Sequence, residues 1–407
     1  MTTGTSSLRR TLNTKGLIGP ALVAGVAYID PGNIATNLTA GSRYGYLLVW
    51  VLVSATLSAA LFQFLSAKLG IVTGQSLPAI LGARFKSNGT RLAFWAQAEA
   101  VAIATDVAEV LGGAIALSLL TQAPLIVSAL AVGFISLVIN ATRAHRKTQF
   151  NRVIIFLMLA ATLGFAYIML KSQVLWTGLV QGLVPRISDS SSLLLATGII
   201  GATIMPHAIY AHSSLSKDNT PNLSVLERIR GAKTDVALAM GVAGVGNLAV
   251  LVFSAANLFG KGDLATLTGA SGLLSAQLGS SMGLLFVVAL FASGLASSAV
   301  GNFAASEIAS GLLKRKIHPV VRWSLALGPA LLLIAFTPNV TDAVILSQVV
   351  LSFGLPFAIF PLVKLTADSG VMGAFISPRS ITVLGYTLAS LLTLLNLALV
   401  GSVFFLK

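Results

Sequence analysis

The chain of 407 residues contains no cysteine, and only 12 of its residues are acidic. The first absence removes disulfides and thiolate metal sites together. The second makes each carboxyl informative, because so few need explaining. Charge of either sign is scarce at 9% of residues, whereas 56% are hydrophobic and mean hydropathy is +0.90. That balance excludes a soluble chain divided into two or three domains and marks an all-α polytopic membrane protein. No His-Glu-x-x-His string occurs, which removes the usual metalloprotease pattern. No cleavage site is evident after Arg9, Arg10 and Lys15, so the first apolar stretch is expected to stay as a span.

Apolar runs place eleven spans at about 16–40, 46–68, 91–118, 124–142, 153–171, 191–213, 235–259, 282–312, 323–337, 343–363 and 380–404. The net charge of +14 is distributed by alternate loops, which argues for membrane topology and against a nucleic-acid partner. Lys68, Arg84, Lys86 and Arg91, then Arg143, Arg146, Lys147 and Arg152, fall on one face. Lys217, Arg228, Arg230 and Lys233, then Lys314, Arg315, Lys316 and Arg322, and finally Lys364 and Arg379 continue it. The other face keeps Arg43, Lys171, Arg186, Lys261 and Lys407. The positive-inside bias therefore predicts a multi-pass protein of the cell (inner) membrane, with a cytoplasmic N-terminus and an extracytoplasmic C-terminus. We read residues 1–15 as a cytoplasmic tail, 16–171 and 191–363 as two five-helix repeats of inverted topology, and 380–404 as an added helix.

Two proline-interrupted polar clusters, Asp30-Pro31-Gly32-Asn33 and Met205-Pro206-His207, sit inside apolar stretches at corresponding places in these halves. Lipid offers backbone groups no partners, so a break at membrane depth persists only where protein or a water-filled cavity satisfies the freed groups. A carboxylate near the bilayer centre costs about 2.5–3.5 kcal/mol on insertion scales, which makes Asp30 a functional candidate. The alternative is a protonated carboxyl that caps the second half-helix. Pro31 and Pro206 lack amide hydrogens, which frees carbonyls near Ala27 and at Ala202 to join Asp30, Asn33 and Met205. A thioether favours softer ions over Mg²⁺ and Ca²⁺, although methionine also fills core space. A further interruption, Ser352-Phe353-Gly354-Leu355-Pro356, follows Gln348 and makes span 10 a candidate third wall.

Glu99, Asp106 and Glu109 lie on one helical face among Ala, Val and Ile, the pattern of a proton or ion relay inside a bundle. His207 and His212, five residues apart, point in different directions and are candidates for proton handling or structural hydrogen bonds.

Together these segments resemble the NRAMP family of proton-coupled divalent metal transporters, over nearly the whole chain. The resemblance rests on Asp30-Pro31-Gly32-Asn33 and Gly201-Ala202-Thr203-Ile204-Met205-Pro206-His207. Ala104-Thr105-Asp106-Val107-Ala108-Glu109-Val110 and Ser347-Gln348-Val349-Val350-Leu351-Ser352-Phe353-Gly354 support it. It implies a leucine-transporter-like fold of 5+5 inverted repeats plus one helix, and transport of Mn²⁺ or Fe²⁺ with H⁺, without a cofactor and without enzymatic activity. It further implies metal held by Asp30, Asn33, Met205 and the Ala202 carbonyl, with the Ala27 carbonyl or Gln348 joining in some states. Proton movement would involve Asp30, His207 and the acids of span 3. Two departures stand out: Arg322-Trp323 replaces the adjacent arginines common near the start of span 9, and Ala304-Ala305-Ser306-Glu307 replaces a frequent Ala-Gly-Gln.

Other classes fit less well. Gly260-Lys261-Gly262-Asp263 matches the G-x-G-D string of membrane aspartyl proteases but lies in a polar loop without a partner Tyr-Asp. Gly241-Val242-Ala243-Gly244-Val245-Gly246 matches no phosphate-binding spacing and suits close helix packing. A passive divalent-cation channel would use the same ligands and is separated from a transporter only by whether a proton gradient drives the metal.

Overall fold

The computed structural model describes residues 19–217, 223–261, 266–315, 317–337 and 339–405. The tail 1–15, the first residues of the first expected span, Lys316, Lys407 and the Gly262-Asp263 end of the G-x-G-D string lie outside the described residues. Every regular element among the described residues is helical. The first span comes in two pieces, α1 (Pro20–Gly25) running into a 3-10 turn (Val26–Tyr28), and α2 (Pro31–Tyr44). α3 (Val49–Thr73), α4 (Leu77–Arg84), α5 (Asn88–Thr121), α6 (Leu125–His145), α7 (Lys147–Lys171) and the short α8 (Trp176–Gln181) follow. The sixth span is also divided, into α9 (Ser190–Ile204) and α10 (Pro206–Lys217). Then come α11 (Val225–Asn257), α12 (Leu267–Leu278), α13 (Ser280–Leu312), α14 (Pro319–Phe336), α15 (Val340–Thr366), α16 (Ser369–Met372) and α17 (Arg379–Phe405).

Nine helical stretches among the described residues are long and apolar enough to cross a bilayer, with α9 and α10 counted as one. The divided first span and the shorter apolar Val320–Phe336 complete the eleven expected passages. The most hydrophobic sequence is not the most buried. The apolar windows of α5, α9–α10 and α13 are 78, 83 and 78% buried, whereas those of α6 and α17 are only 28% buried. Leu130, Phe134 and Val138 on α6, and Leu391, Leu394 and Leu397 on α17, are left outward as a surface suited to lipid. Inside, Phe165, Phe253 and Phe286 lock α7, α11 and α13 together with ring centroids 6.0–6.4 Å apart.

Helix starts follow local chemistry. Asp189 caps α9 by accepting from Ser192 N at 2.7 Å, and Ser224 and Glu227 form a reciprocal capping box at the start of α11. Asp189 lies outside the spans, and the Ser192 amide, with Tyr44 Oη donating to it as well, holds its carboxyl below the ordinary range.

The structure corrects three expectations. α15 is not interrupted: it runs unbroken through Pro356, although that proline lacks the N–H that would bond to Ser352 O. Asn396 Nδ2 of α17 donates to this carbonyl at 2.8 Å, and Ser352 Oγ donates to Asn396 Oδ1 at 2.7 Å. Lys68 and Arg322 are not loop cations. Lys68 is 8% exposed inside α3, where Nζ donates to Ser377 Oγ at 3.2 Å, and Arg322 is 2% exposed inside α14. Finally, stretches read as connectors contain the short helices α4, α8 and α12.

Candidate functional site

The two divided spans meet at their breaks. Asp30 has extended backbone geometry and caps α2: Oδ1 accepts from Asn33 N at 2.9 Å and Oδ2 from Gly32 N at 3.1 Å. Asp30 therefore caps the second half-helix, and capping alone leaves a further lone pair on each oxygen, of which the one on Oδ1 is taken by the Asn33 side chain. Asn33 Nδ2 donates to Asp30 Oδ1 and to Ala202 O, both at 2.7 Å. Ala202 O is the carbonyl that Pro206 cannot reach, so the freed acceptor of one broken span is taken by a side chain of the other. Thr203 Oγ1 donates to Asn33 Oδ1 at 3.2 Å, which fixes the far side of the amide.

Met205 ends α9 with φ 45° and ψ 99°. Positive φ costs a residue with a side chain about 1–3 kcal/mol unless its surroundings impose it. The thioether is fully buried at this turn, and the chain restarts as α10 at Pro206. Gln348 lies across the opposite side. A Cβ placed on Gly32 would run into the Gln348 amide and sit 2.7 Å from Asp30 Oδ2, so only glycine lets Gln348 approach this closely. Gln348 Nε2 donates to Ser347 Oγ at 2.9 Å, while Oε1 is buried without a partner. Asp30, Asn33, the Ala202 carbonyl and Gln348 are therefore brought together, with Met205 at the same break and Ala27 buried just before the other.

A cleft of about 270 Å³ lies above this cluster, lined by Thr39, Arg43, Ser191, Leu195, Asp342 and Ile345. It is formed by α2, α9 and α15, the helices that carry Asn33, Ala202 and Gln348, about one to three helical turns from those residues. The cleft faces the end of the bundle opposite the basic end, where Arg84, Arg228 and Lys314 lie.

The acids of α5 form a second cluster. Arg322 NH1 donates to Glu99 Oε1 at 2.9 Å, and NH2 donates to Asp106 Oδ2. Glu109 has both oxygens buried beside Ser297 of α13, and a Cβ on Gly301 of the same helix would lie 2.7 Å from Glu109 Oε2 and 3.0 Å from Asp106 Oδ1. The three carboxyls share one face as the spacing requires. The histidines diverge: His207 Nδ1 meets Thr105 Oγ1 of α5 at 3.2 Å, with Nε2 unpartnered, whereas His212 Nδ1 meets Gln63 Oε1 of α3 at 2.6 Å. His207 thus faces the acidic helix and His212 does not. Of the two departures, Arg322 supplies the guanidinium paired with Glu99 and Asp106 of α5, Trp323 packs beside Gly133, and Glu307 accepts from Ser214 Oγ at 2.5 Å.

Sequence reasoning missed several supports. Gln63 Nε2 hydrogen-bonds Tyr28 Oη, which links His212 to the 3-10 turn before the first break. Asn247 Nδ2 donates to Tyr28 O at 2.6 Å, and Ser293 Oγ to Ile29 O at 2.6 Å, which satisfies the carbonyls on the approach to Asp30. Their only signal was polarity within an apolar helix.

The family profile described as "Natural resistance-associated macrophage protein-like" matches residues 21–402. The Mycobacterium tuberculosis H37Rv protein named divalent metal cation transporter MntH is 45% identical over 389 residues, covering 94% of this chain and 91% of the relative. Its Deinococcus radiodurans namesake is 39% identical over 407 residues, at 96% and 92% coverage. The solved Eremococcus coleocola manganese transporter superposes with a TM-score of 0.85 at 29% identity, over 99% of this chain and 90% of that one. Mhp1, a nucleobase-cation-symport-1 family transporter, shares the fold at a TM-score of 0.61 and 16% identity, covering 96% and 94% of the two chains. The fold is thus leucine-transporter-like, and the chain, matched from its first helix to its last, belongs to the Nramp family of metal ion transporters rather than to any enzyme class.

Proposed function

We propose that this chain imports Mn²⁺ and Fe²⁺ together with protons by alternating access. The observation that carries the reading is the convergence of Asp30 Oδ1 and Ala202 O on one point between the two breaks, now occupied by Asn33 Nδ2. A cation takes these oxygens when the Asn33 amide turns over, which presents its oxygen beside them and releases the Thr203 hydroxyl. The unpaired Gln348 Oε1 is a further hard donor, and the Met205 thioether supplies the soft one that disfavours Mg²⁺ and Ca²⁺.

The acids of α5 serve the proton. One guanidinium faces Glu99 and Asp106 with Glu109 adjacent, so the cluster is not charge-balanced by protein alone, and protons supply the difference. His207, two residues from Met205, reaches the helix of these acids through Thr105 and with Asp30 serves the proton, and His212 stands at the end of a separate hydrogen-bonded branch. The basic end is cytoplasmic, with the N-terminus there and the C-terminus outside the inner membrane. Residues 16–171 and 191–363 act as the inverted repeats, and 380–404 braces them. An inside-negative potential assists entry by about 2.3 kcal/mol per elementary charge per 100 mV.

The test is Mn²⁺ uptake and internal acidification in the same proteoliposomes, at fixed potential and varied external pH. Asp30→Asn abolishes uptake, and wild-type uptake by that variant overturns the metal site. Asp106→Asn keeps metal binding and weakens its link to proton flux, so normal proton flux overturns the relay. Met205→Ala loses Cd²⁺ transport more than Mn²⁺ transport and admits competition by Mg²⁺ or Ca²⁺. Metal movement that never responds to the proton gradient marks a passive channel instead.

A further inference from the structure

Asp235 is a buried acid, 1% exposed, that neither the metal cluster nor the acids of α5 use. It lies near the start of α11, and its carboxyl is spent on the beginning of α1. Oδ1 accepts from Gly19 N at 3.1 Å and Oδ2 from Ala21 N at 2.7 Å. Pro20, between them, has no N–H, so the carboxyl takes the donors on both sides of it. A helix normally caps itself with a neighbouring residue; here the cap comes from a chain position more than 200 residues away.

The rest of the α1–α11 contact shows what this cap is for. Asp235, Ala239, Ala243 and Asn247 recur every four residues and form one stripe of α11. Ala239 approaches Gly25 so closely that a Cβ on that glycine would lie 3.0 Å from the alanine Cβ. Asn247, at the far end of the stripe, holds Tyr28 O immediately before the break at Asp30. The contact therefore has a polar clasp at each end and a smooth small-residue surface between. One clasp sits beside the break; the other sits at the basic end of the bundle, on the first residues of a six-residue helix.

We propose that Asp235 is a positioning residue for transport: the releasable clasp that keeps α1 seated on α11, so that its detachment lets α1 pivot about the 28–30 break and opens the metal cluster toward the basic end. The Asn247 clasp stays closed and acts as the pivot. This inference rests on the alternating-access reading above. Retaining the clasp through the whole cycle would leave the cluster walled from that end by α1, α10 and α11.

The absence of cysteine allows a direct test, because a single introduced thiol reports one position. Ala24 is buried in α1 at 1% exposure, and Ala116 is buried in α5. Ala24→Cys is reacted with a membrane-impermeant maleimide from the basic end, alone and combined with Asp235→Asn or Asp235→Ala, and Ala116→Cys serves as the control. Labelling of Ala24→Cys should rise about tenfold with Asp235→Ala and less with Asp235→Asn, whose amide oxygen still accepts one N–H, while Ala116→Cys stays unlabelled. Unchanged labelling with either variant overturns the proposal, as does equal labelling of Ala116→Cys, which marks general loosening. Should Asp235→Ala not fold, Asp235→Asn decides alone by the same criterion. Added Mn²⁺ should itself accelerate labelling when Asp235 is intact. If Mn²⁺ has no effect there while the Asp235 variants still label faster, the clasp stands and the transport reading fails.

Discussion

Pro206 and Pro356 present the same chemical problem and receive different solutions. Each removes an N–H and orphans the carbonyl four residues back, Ala202 O in one case and Ser352 O in the other. Each carbonyl is then taken by an asparagine from another helix, Asn33 at 2.7 Å and Asn396 at 2.8 Å. Yet the chain breaks before Pro206, where Met205 turns to φ 45°, and continues as one helix through Pro356. Proline therefore does not decide the outcome. At Pro356 the asparagine is itself held by Ser352 Oγ, so a closed two-bond clasp stands in for the missing helical bond. At Pro206 the asparagine also serves Asp30, and the same amide links two separate breaks. One site is sealed for stability and the other is left open to exchange.

The largest effect expected from this contrast is that of Pro206→Ala. The restored N–H would compete with Asn33 for Ala202 O and favour a continuous helix. Mn²⁺ uptake should fall about a hundredfold, the scale of a 1 Å misplacement at a working site, with the protein still folded. Near-normal uptake would break the comparison. Asn396→Ala comes next: it leaves Ser352 O without its donor, while Ser352 Oγ keeps Val349 O, and should cost about 1–3 kcal/mol of stability, read as a lower denaturation midpoint in detergent. Pro356→Ala should change stability by about 1 kcal/mol or less, since the new N–H replaces what Asn396 supplies. In that background Asn396→Ala should cost less than it does alone, and strict additivity would show that the two groups do not share the carbonyl. An effect of similar size is expected of Asp189→Ala, a lost helix cap worth about 1 kcal/mol. Because hydrogen bonds to the carboxylate lower the Asp189 pKa in the folded state, its contribution is present above the unfolded pKa and disappears as pH falls through the folded one. A thermal shift in that variant that does not narrow at acid pH would contradict this.

The sequence made the breaks legible because a proline beside polar groups in an apolar run has few physical explanations. The meeting of Asp30, Asn33 and Ala202 follows from it. The continuity of α15 was hidden because the group that repairs it, Asn396, lies 44 residues away in a helix whose exposed, lipid-suited face gives no hint of a polar role. Lys68 and Arg322 were assigned to loops because charge counting treats every cation near a span end as solvated, while only packing reveals Ser377 or the Glu99–Asp106 pair as their partners. Asp235 was silent for a deeper reason: it binds backbone amides, which carry no residue signature.

The two hydrogen bonds donated by Asn33 Nδ2 bear on how sequence change is tolerated. Its amide reads the position of two half-helices at once and reports agreement only when both are in place, much as a coincidence detector fires on two simultaneous inputs. Substitutions far from the cluster that tilt either half-helix should therefore register as a loss of metal affinity with every donor atom still present. Inactivating variants should trace the scaffolding of the two breaks as faithfully as the donors themselves.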